Sequence, residues 1–214
     1  MPLLALVIPV KVLAPAWTLL GIASSATILG ADRAHVDKRA FAFFLPWCIA
    51  GIGVGLYLFT ALDAATLARA LGALVLAYAG YMLWLIAHPE ARDPLPALAV
   101  RPAAGLLSGV VGTMFGAMAS IFFAMYLDGC ALDKRAFRAT ISAMLLALSL
   151  IRLVAYAAVG ELGAESLMVF AAALPIMALG IYLGGRIHAA MSEALFKRLV
   201  CGILVVCAIP LLLK

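Results

Sequence analysis

Six apolar runs, at about 14–31, 40–61, 65–88, 138–160, 164–187 and 192–213, are each long enough to cross a bilayer, and once a further run at 102–127 is counted only short connections separate them. About 20 apolar residues of helix span the hydrocarbon core. Within that core the backbone must satisfy its own hydrogen bonds, which leaves helices as the spanning element for runs of this kind. Composition agrees: 67% of the 214 residues are hydrophobic and 12% charged, with a mean hydropathy of +1.19. Soluble domains carry roughly a quarter charged residues. The chain therefore reads as an all-α polytopic membrane protein whose first partner is the lipid bilayer.

The formal charge of +5 falls almost wholly between the apolar runs. That is a topology signal, and no basic stripe with interleaved aromatics points to nucleic acid. The N-terminal "MPLLALVIPVKVLAPAWTLL" lacks the basic residues that precede a signal-peptide core, since Lys11 follows the apolar stretch, so it reads as retained structure. Cys48, Cys130, Cys201 and Cys207 show no CxxC spacing, and His35, His88 and His188 are scattered, so no metal or cofactor is expected. No apolar helix carries a His, Asp or Glu at depth to serve a nucleophile, so catalysis is not expected either.

The two halves of the chain resemble each other. "LPWCIAGIGVG" at 45–55 matches "LPIMALGIYLG" at 174–184 at Leu, Pro, Gly, Ile and Gly, with an offset of 129 that also pairs Arg69 with Arg198. The expected organisation is a first repeat at 1–88, a linker at 89–101 within the stretch "HPEARDPLPALAVRP" at 88–102, and a second repeat at 102–214.

One further run, 102–127, has 26 residues, no charge and glycines at 105, 109, 112 and 116. If it spans, neither face has a clear excess of basic residues. If it enters, breaks and returns, eleven basic residues share one face and three (Lys11, Arg69 and Lys214) the other. Cytoplasmic loops carry the excess of Lys and Arg, which favours a broken re-entrant hairpin. Each half then contributes three crossings. The expected fold is two inverted repeats of three spanning helices each plus that hairpin, an arrangement typical of secondary transporters.

The break is expected around Thr113 to Ser120. A half-helix starting near Ala117 to Ser120 points unpaired N–H groups and its positive dipole end inward, toward an anion. Close helix packing at the glycines is the alternative. Arg152 lies deep in "LLALSLIRLVAYAAVG" with no acid within seven residues. Such an arginine needs a partner or a cavity. It either forms a positive wall for an anion, snorkels outward, or binds a helix-end carbonyl. Arg138, Thr140 and Ser142 open the same helix; Arg138 reads as interfacial, and the hydroxyls donate to a substrate or cap backbone.

The run "GLLSGVVGTMFG…MYLDGCALDKRAFRATISAMLLALSLIRLVAYAAVG" resembles the second-repeat signature of the sulfite exporter TauE/SafE family, also called DUF81, and "MPLLALVIPV" is similar to the matching segment of the first repeat. The resemblance implies a multi-pass protein of the cell (inner) membrane that exports a small anion, a sulfur-containing oxyanion or an organosulfonate. It places Gly109, Gly112, Gly116 and the Arg138–Thr140 segment beside the substrate, to which the residue reading adds Ser120 and Arg152. Two departures stand out. The chain starts at Met1-Pro2, where members usually have a Gly-rich segment, so the first repeat reads as shortened. Gly116-Ala117-Met118-Ala119-Ser120 also stands where members usually have Gly-Gly-Pro. A non-transporting accessory or assembly subunit is the alternative function, and no pattern in the sequence fixes an oligomeric state.

Overall fold

Three aspartates in the connecting segments start three of the long helices. In the computed structural model Asp37 Oδ1 accepts from the N–H groups of Arg39 (2.9 Å) and Ala40 (2.8 Å), opening the helix Lys38–Ala61. Asp133 Oδ1 accepts from Ala136 N–H (3.1 Å) ahead of Lys134–Ala158. Asp63 accepts from the N–H groups of Ala65 and Thr66 ahead of Ala64–Ala87. Each carboxylate satisfies donors that the first helical turn leaves unpaired.

The structure describes residues 2–87, 97–130 and 132–190, together with Val206 and Pro210. In chain order the helices are α1 (Pro2–Ala5), α2 (Val10–Asp32), α3 (Lys38–Ala61), α4 (Ala64–Ala87), α5 (Ala97–Phe115), α6 (Ala119–Asp128), α7 (Lys134–Ala158) and α8 (Ala164–Ala190), with a 3₁₀ turn at Arg33–His35. Four are long and apolar enough to cross a membrane, over Val10–Gly30, Lys38–Ala61, Ala64–Tyr81 and Arg135–Ala158. The protein is an all-α, multi-span membrane protein, with no strand among the described residues. The expected run 192–213, apart from Val206 and Pro210, lies outside the described residues, as does the linker through residue 96.

Long-range hydrogen bonds fix the relative directions of the helices. Thr140 Oγ1 accepts from Asp37 N–H (2.9 Å) at one end of the bundle. At the other end Ser166 Oγ donates to Val12 O (3.0 Å), and Lys11 Nζ lies 4.0 Å from Glu161 Oε1. Thus α2 runs antiparallel to α7 between a Lys11 end and an Asp37 end. α7 closes at the Lys11 end on Gly160, at φ +75°, where Gly160 N–H donates to Ala157 O and Glu161 N–H to Tyr156 O. That pair of bonds is the Schellman arrangement, which needs a left-handed residue.

α5 lies parallel to α3 and backbone-close to it. A Cβ on Gly109 would meet Cys48 O and, at 2.7 Å, the Cα of Gly51, while a Cβ on Gly55 would lie 2.8 Å from Val110 O. Without a hydrophobic force between helices in lipid, small residues that allow such approach provide the packing. α6 then doubles back. The Tyr126 hydroxyl donates to Ala40 O (3.2 Å), and Phe44 stacks on the Tyr126 ring at 4.6 Å. The far end of α6 therefore stands level with the start of α3, beside Ala104 near the start of α5.

Candidate functional site

The turn between α5 and α6 is the centre of the candidate site. α5 ends at Phe115; Gly116 and Met118 take φ +72° and +69°, and α6 begins at Ala119. A side chain at Gly116 would be strained by its φ and would also meet Ala14 O at 2.7 Å and Trp17 Cβ at 3.1 Å. Met118 adopts the left-handed conformation without glycine's freedom, a backbone feature that clusters at functional sites.

The break leaves carbonyls at the end of α5 and amides at the start of α6. Two α7 side chains attend to the carbonyls. Arg152 Nη1 donates to Gly112 O, and the Tyr156 hydroxyl donates to Thr113 O. Arg152 Nη2 donates to Thr18 Oγ1 on α2 (2.7 Å), whose own hydroxyl donates to Ala14 O (2.9 Å). Arg152 is 2% exposed, and its Nε is buried with no hydrogen-bond partner among the described residues. Among the described residues no carboxylate stands within ion-pair distance of it, since Glu161 faces Lys11. On the amide side, Met118 supplies no side-chain cap, and the N–H groups of Ala119 and Ser120 have no partner among the described residues. A Cβ on Gly112 would lie 2.8 Å from Arg152 Nη1 and 3.2 Å from Ala119 Cβ, so the guanidinium and the start of α6 adjoin.

A full positive charge and the positive end of a helix dipole therefore occupy one buried region. Dipoles of Gly112 O and Thr18 Oγ1 offset that charge only in part. An anion accepting from the Arg152 guanidinium and the α6 amides would complete the compensation, through charge-assisted bonds about twice as strong as neutral ones.

The sequence-derived residues divide into two groups. Gly112, Gly116 and Arg152 come together at the break, and half-buried Ser120 sits in the first turn of α6. The helix-end-carbonyl reading of Arg152 describes its bond to Gly112 O. Gly109 instead faces α3, where it sets the close helix approach. Arg138 and Thr140 lie about 21 and 18 Å along α7 from Arg152, at 1.5 Å per residue. Arg138 is exposed, and Thr140 accepts from Asp37 N–H at the Asp37 end. Ser142 donates to Arg138 O (2.8 Å). Arg152 itself lies about 9 Å from the Lys11 end of α7, past the helix middle.

Thr18, Tyr156, Ala14 and Trp17 belong to the site without having been singled out. Tyr156 had a signal, being four residues from Arg152 on one helical face. Thr18 had none, because its role depends on which helix α2 packs against. A small apolar pocket lined by Phe41, Phe44, Leu45, Cys48, Met144 and Leu148 lies toward the Asp37 end and offers no charge to an anion. Among the described residues no group of three or more His, Cys, Asp or Glu is placed to hold a metal ion.

No curated protein and no solved structure matches the chain. A protein-family model does, described as sulfite exporter TauE/SafE and spanning residues 1–211. With a match over nearly its whole length, and several helices long and apolar enough to span a membrane, the chain belongs to the sulfite exporter TauE/SafE family.

Proposed function

We propose that the protein is a secondary transporter that exports a small anion, a sulfur-containing oxyanion or an organosulfonate, by alternating access between two inverted halves. Family membership and the multi-span helices support a transporter role. The observation that carries the anion is Arg152: buried, without a carboxylate partner among the described residues, and adjoining the uncapped start of α6. The substrate accepts from Arg152 and from the amides of Ala119 and Ser120, with Gly112 giving the guanidinium room at the end of α5 and Gly116 turning the chain toward α6. In this reading Arg138 and Thr140 border the approach from the Asp37 end, and Gly109 holds α5 in place.

The inverted arrangement draws support from α3 and α8, which share the Leu-Pro motif at Pro46 and Pro175. α3 starts at the Asp37 end, whereas α8 starts at the Lys11 end, level with Val12. α5 and α6 together form the re-entrant element, entering and leaving at the Asp37 end, which is cytoplasmic by its excess of basic residues. Release requires weak binding, in the micromolar to millimolar range, roughly −8 to −4 kcal/mol.

The test is uptake into proteoliposomes under an imposed solute gradient, with sulfite, sulfate, sulfoacetate and a carboxylate of similar size. Saturable flux of one or more sulfur anions, lost in Arg152→Ala, is the expected result. A folded, inserted protein that moves none of them overturns the proposal.

A further inference from the structure

Two arginines from different helices meet on one exposed ring, far from the helix break. The guanidinium carbons of Arg39, on α3, and Arg101, on α5, lie 5.7 and 5.3 Å from the centroid of Phe43. The parallel, glycine-mediated packing of α3 against α5 brings both to the Asp37 end. The Arg101 Nε is buried, with no hydrogen-bond partner among the described residues. Among the described residues no carboxylate lies within ion-pair distance of either arginine. Asp37, the acid nearest in sequence to Arg39, turns Oδ1 to the α3 amides instead. Cation–π contact attracts each guanidinium to the ring but leaves both charges in place.

The surface beside this pair is apolar and aromatic. Phe43 and Trp47, one turn apart on spanning helix α3, are 49% and 42% exposed. Aromatic side chains at the end of a spanning helix sit at headgroup depth, with acyl chains beneath. A soluble anion would match the charges and leave the rings unmatched; a phosphodiester carrying acyl tails matches both. Basic pockets between helices are established binding places for anionic lipid headgroups.

We propose that Arg39 and Arg101 bind the phosphate of an anionic phospholipid whose acyl chains lie along Phe43 and Trp47. The lipid then bridges α3 and the start of α5, tying the hairpin to the span beside it.

The full-length protein, delipidated in detergent and titrated with phosphatidylglycerol or phosphatidylcholine of identical acyl chains, is assayed by native mass spectrometry. The wild type should retain one phosphatidylglycerol in clear preference to phosphatidylcholine. Arg39→Gln should weaken that preference about fivefold, and Arg39→Gln/Arg101→Gln about 25-fold. Arg39→Lys/Arg101→Lys, which keeps both charges, should stay within a few-fold of the wild type. Arg33→Gln/Arg135→Gln, which removes two exposed charges elsewhere, should leave the preference unchanged. Equal loss in the Lys and Gln pairs overturns the proposal, as does equal loss in the Arg33/Arg135 pair, which would reflect surface potential alone. Displacement of the lipid by glycerol phosphate at equal concentration would mark a soluble-anion site and would also overturn it.

Discussion

Arg152 on α7 donates to the carbonyl of Gly112, so a side chain from one spanning helix holds the broken end of another. The same arginine reaches Thr18 on α2, which joins three helices through one guanidinium. Carbonyls at a helix C-terminus carry partial negative charge, and a cation there is favourable. The remaining positive charge is what the proposed substrate would meet.

Structural and functional roles of Arg152 should separate on substitution. Arg152→Met takes a buried donor from Gly112 O and from Thr18 Oγ1, a loss that costs about 1–3 kcal/mol. It should therefore lower the melting temperature but keep membrane insertion, while anion flux in the inserted, folded protein falls at least tenfold. Arg152→Lys should keep part of the flux, since the charge survives and the planar fork does not. Wild-type flux from Arg152→Met would remove the arginine from the mechanism.

Glycines of α3 and α5 should be unequal in their tolerance of alanine. The Cβ of Gly109→Ala meets backbone atoms of Cys48, Gly51 and Ile52, none of which can swing aside. A destabilisation of about 1–3 kcal/mol, the usual range for overpacking, is expected in denaturant titration. Gly53 on the same helix as Gly51 faces open space, and Gly53→Ala should be neutral or stabilising by up to about 1 kcal/mol. Similar losses at both positions would contradict the backbone-close packing.

Accessibility from either face tests the proposed topology. In a background with Cys48, Cys130, Cys201 and Cys207 replaced, Ala34→Cys and Leu132→Cys should react with an impermeant maleimide from one side, and Leu162→Cys from the other. The loops 32–39 and 129–137 then share a face. Labelling of residues 34 and 132 from opposite sides would exclude the re-entrant hairpin.

Asp63 gives the start of α4 a pH dependence. A hydrogen bond from the Thr66 hydroxyl, aided by backbone N–H groups, holds this exposed carboxyl below its ordinary range. Because the folded value is the lower one, its contribution is complete above the ordinary carboxylate pKa of about 4 and disappears as pH falls through the depressed value. Amide exchange at Ala65–Leu67, corrected for intrinsic rate, should be faster in Asp63→Ala at neutral pH. Wild type and variant should converge only in strong acid. A difference that persists there would show that the charged carboxylate is not what caps the helix.

Length and apolarity were sufficient to specify the membrane class and the long helices, because a segment crossing hydrocarbon must be helical and about 20 residues long whatever it packs against. The aspartates at 37, 63 and 133 are likewise local: a cap needs only the amides two or three residues ahead of it. Gly116 carried a signal for the break, since left-handed backbone favours glycine. Met118, equally left-handed, carried none. What each side chain faces was a different matter. Arg138 and Thr140 share α7 with Arg152, yet Thr140 ties off the loop before α3 while Arg152 reaches the end of α5. The sequence determined that a deep arginine required a partner. Only the tertiary structure decided that its partners are Gly112, 40 residues away, and Thr18, 134 residues away, because helix rotation and neighbour choice arise from packing across the whole bundle.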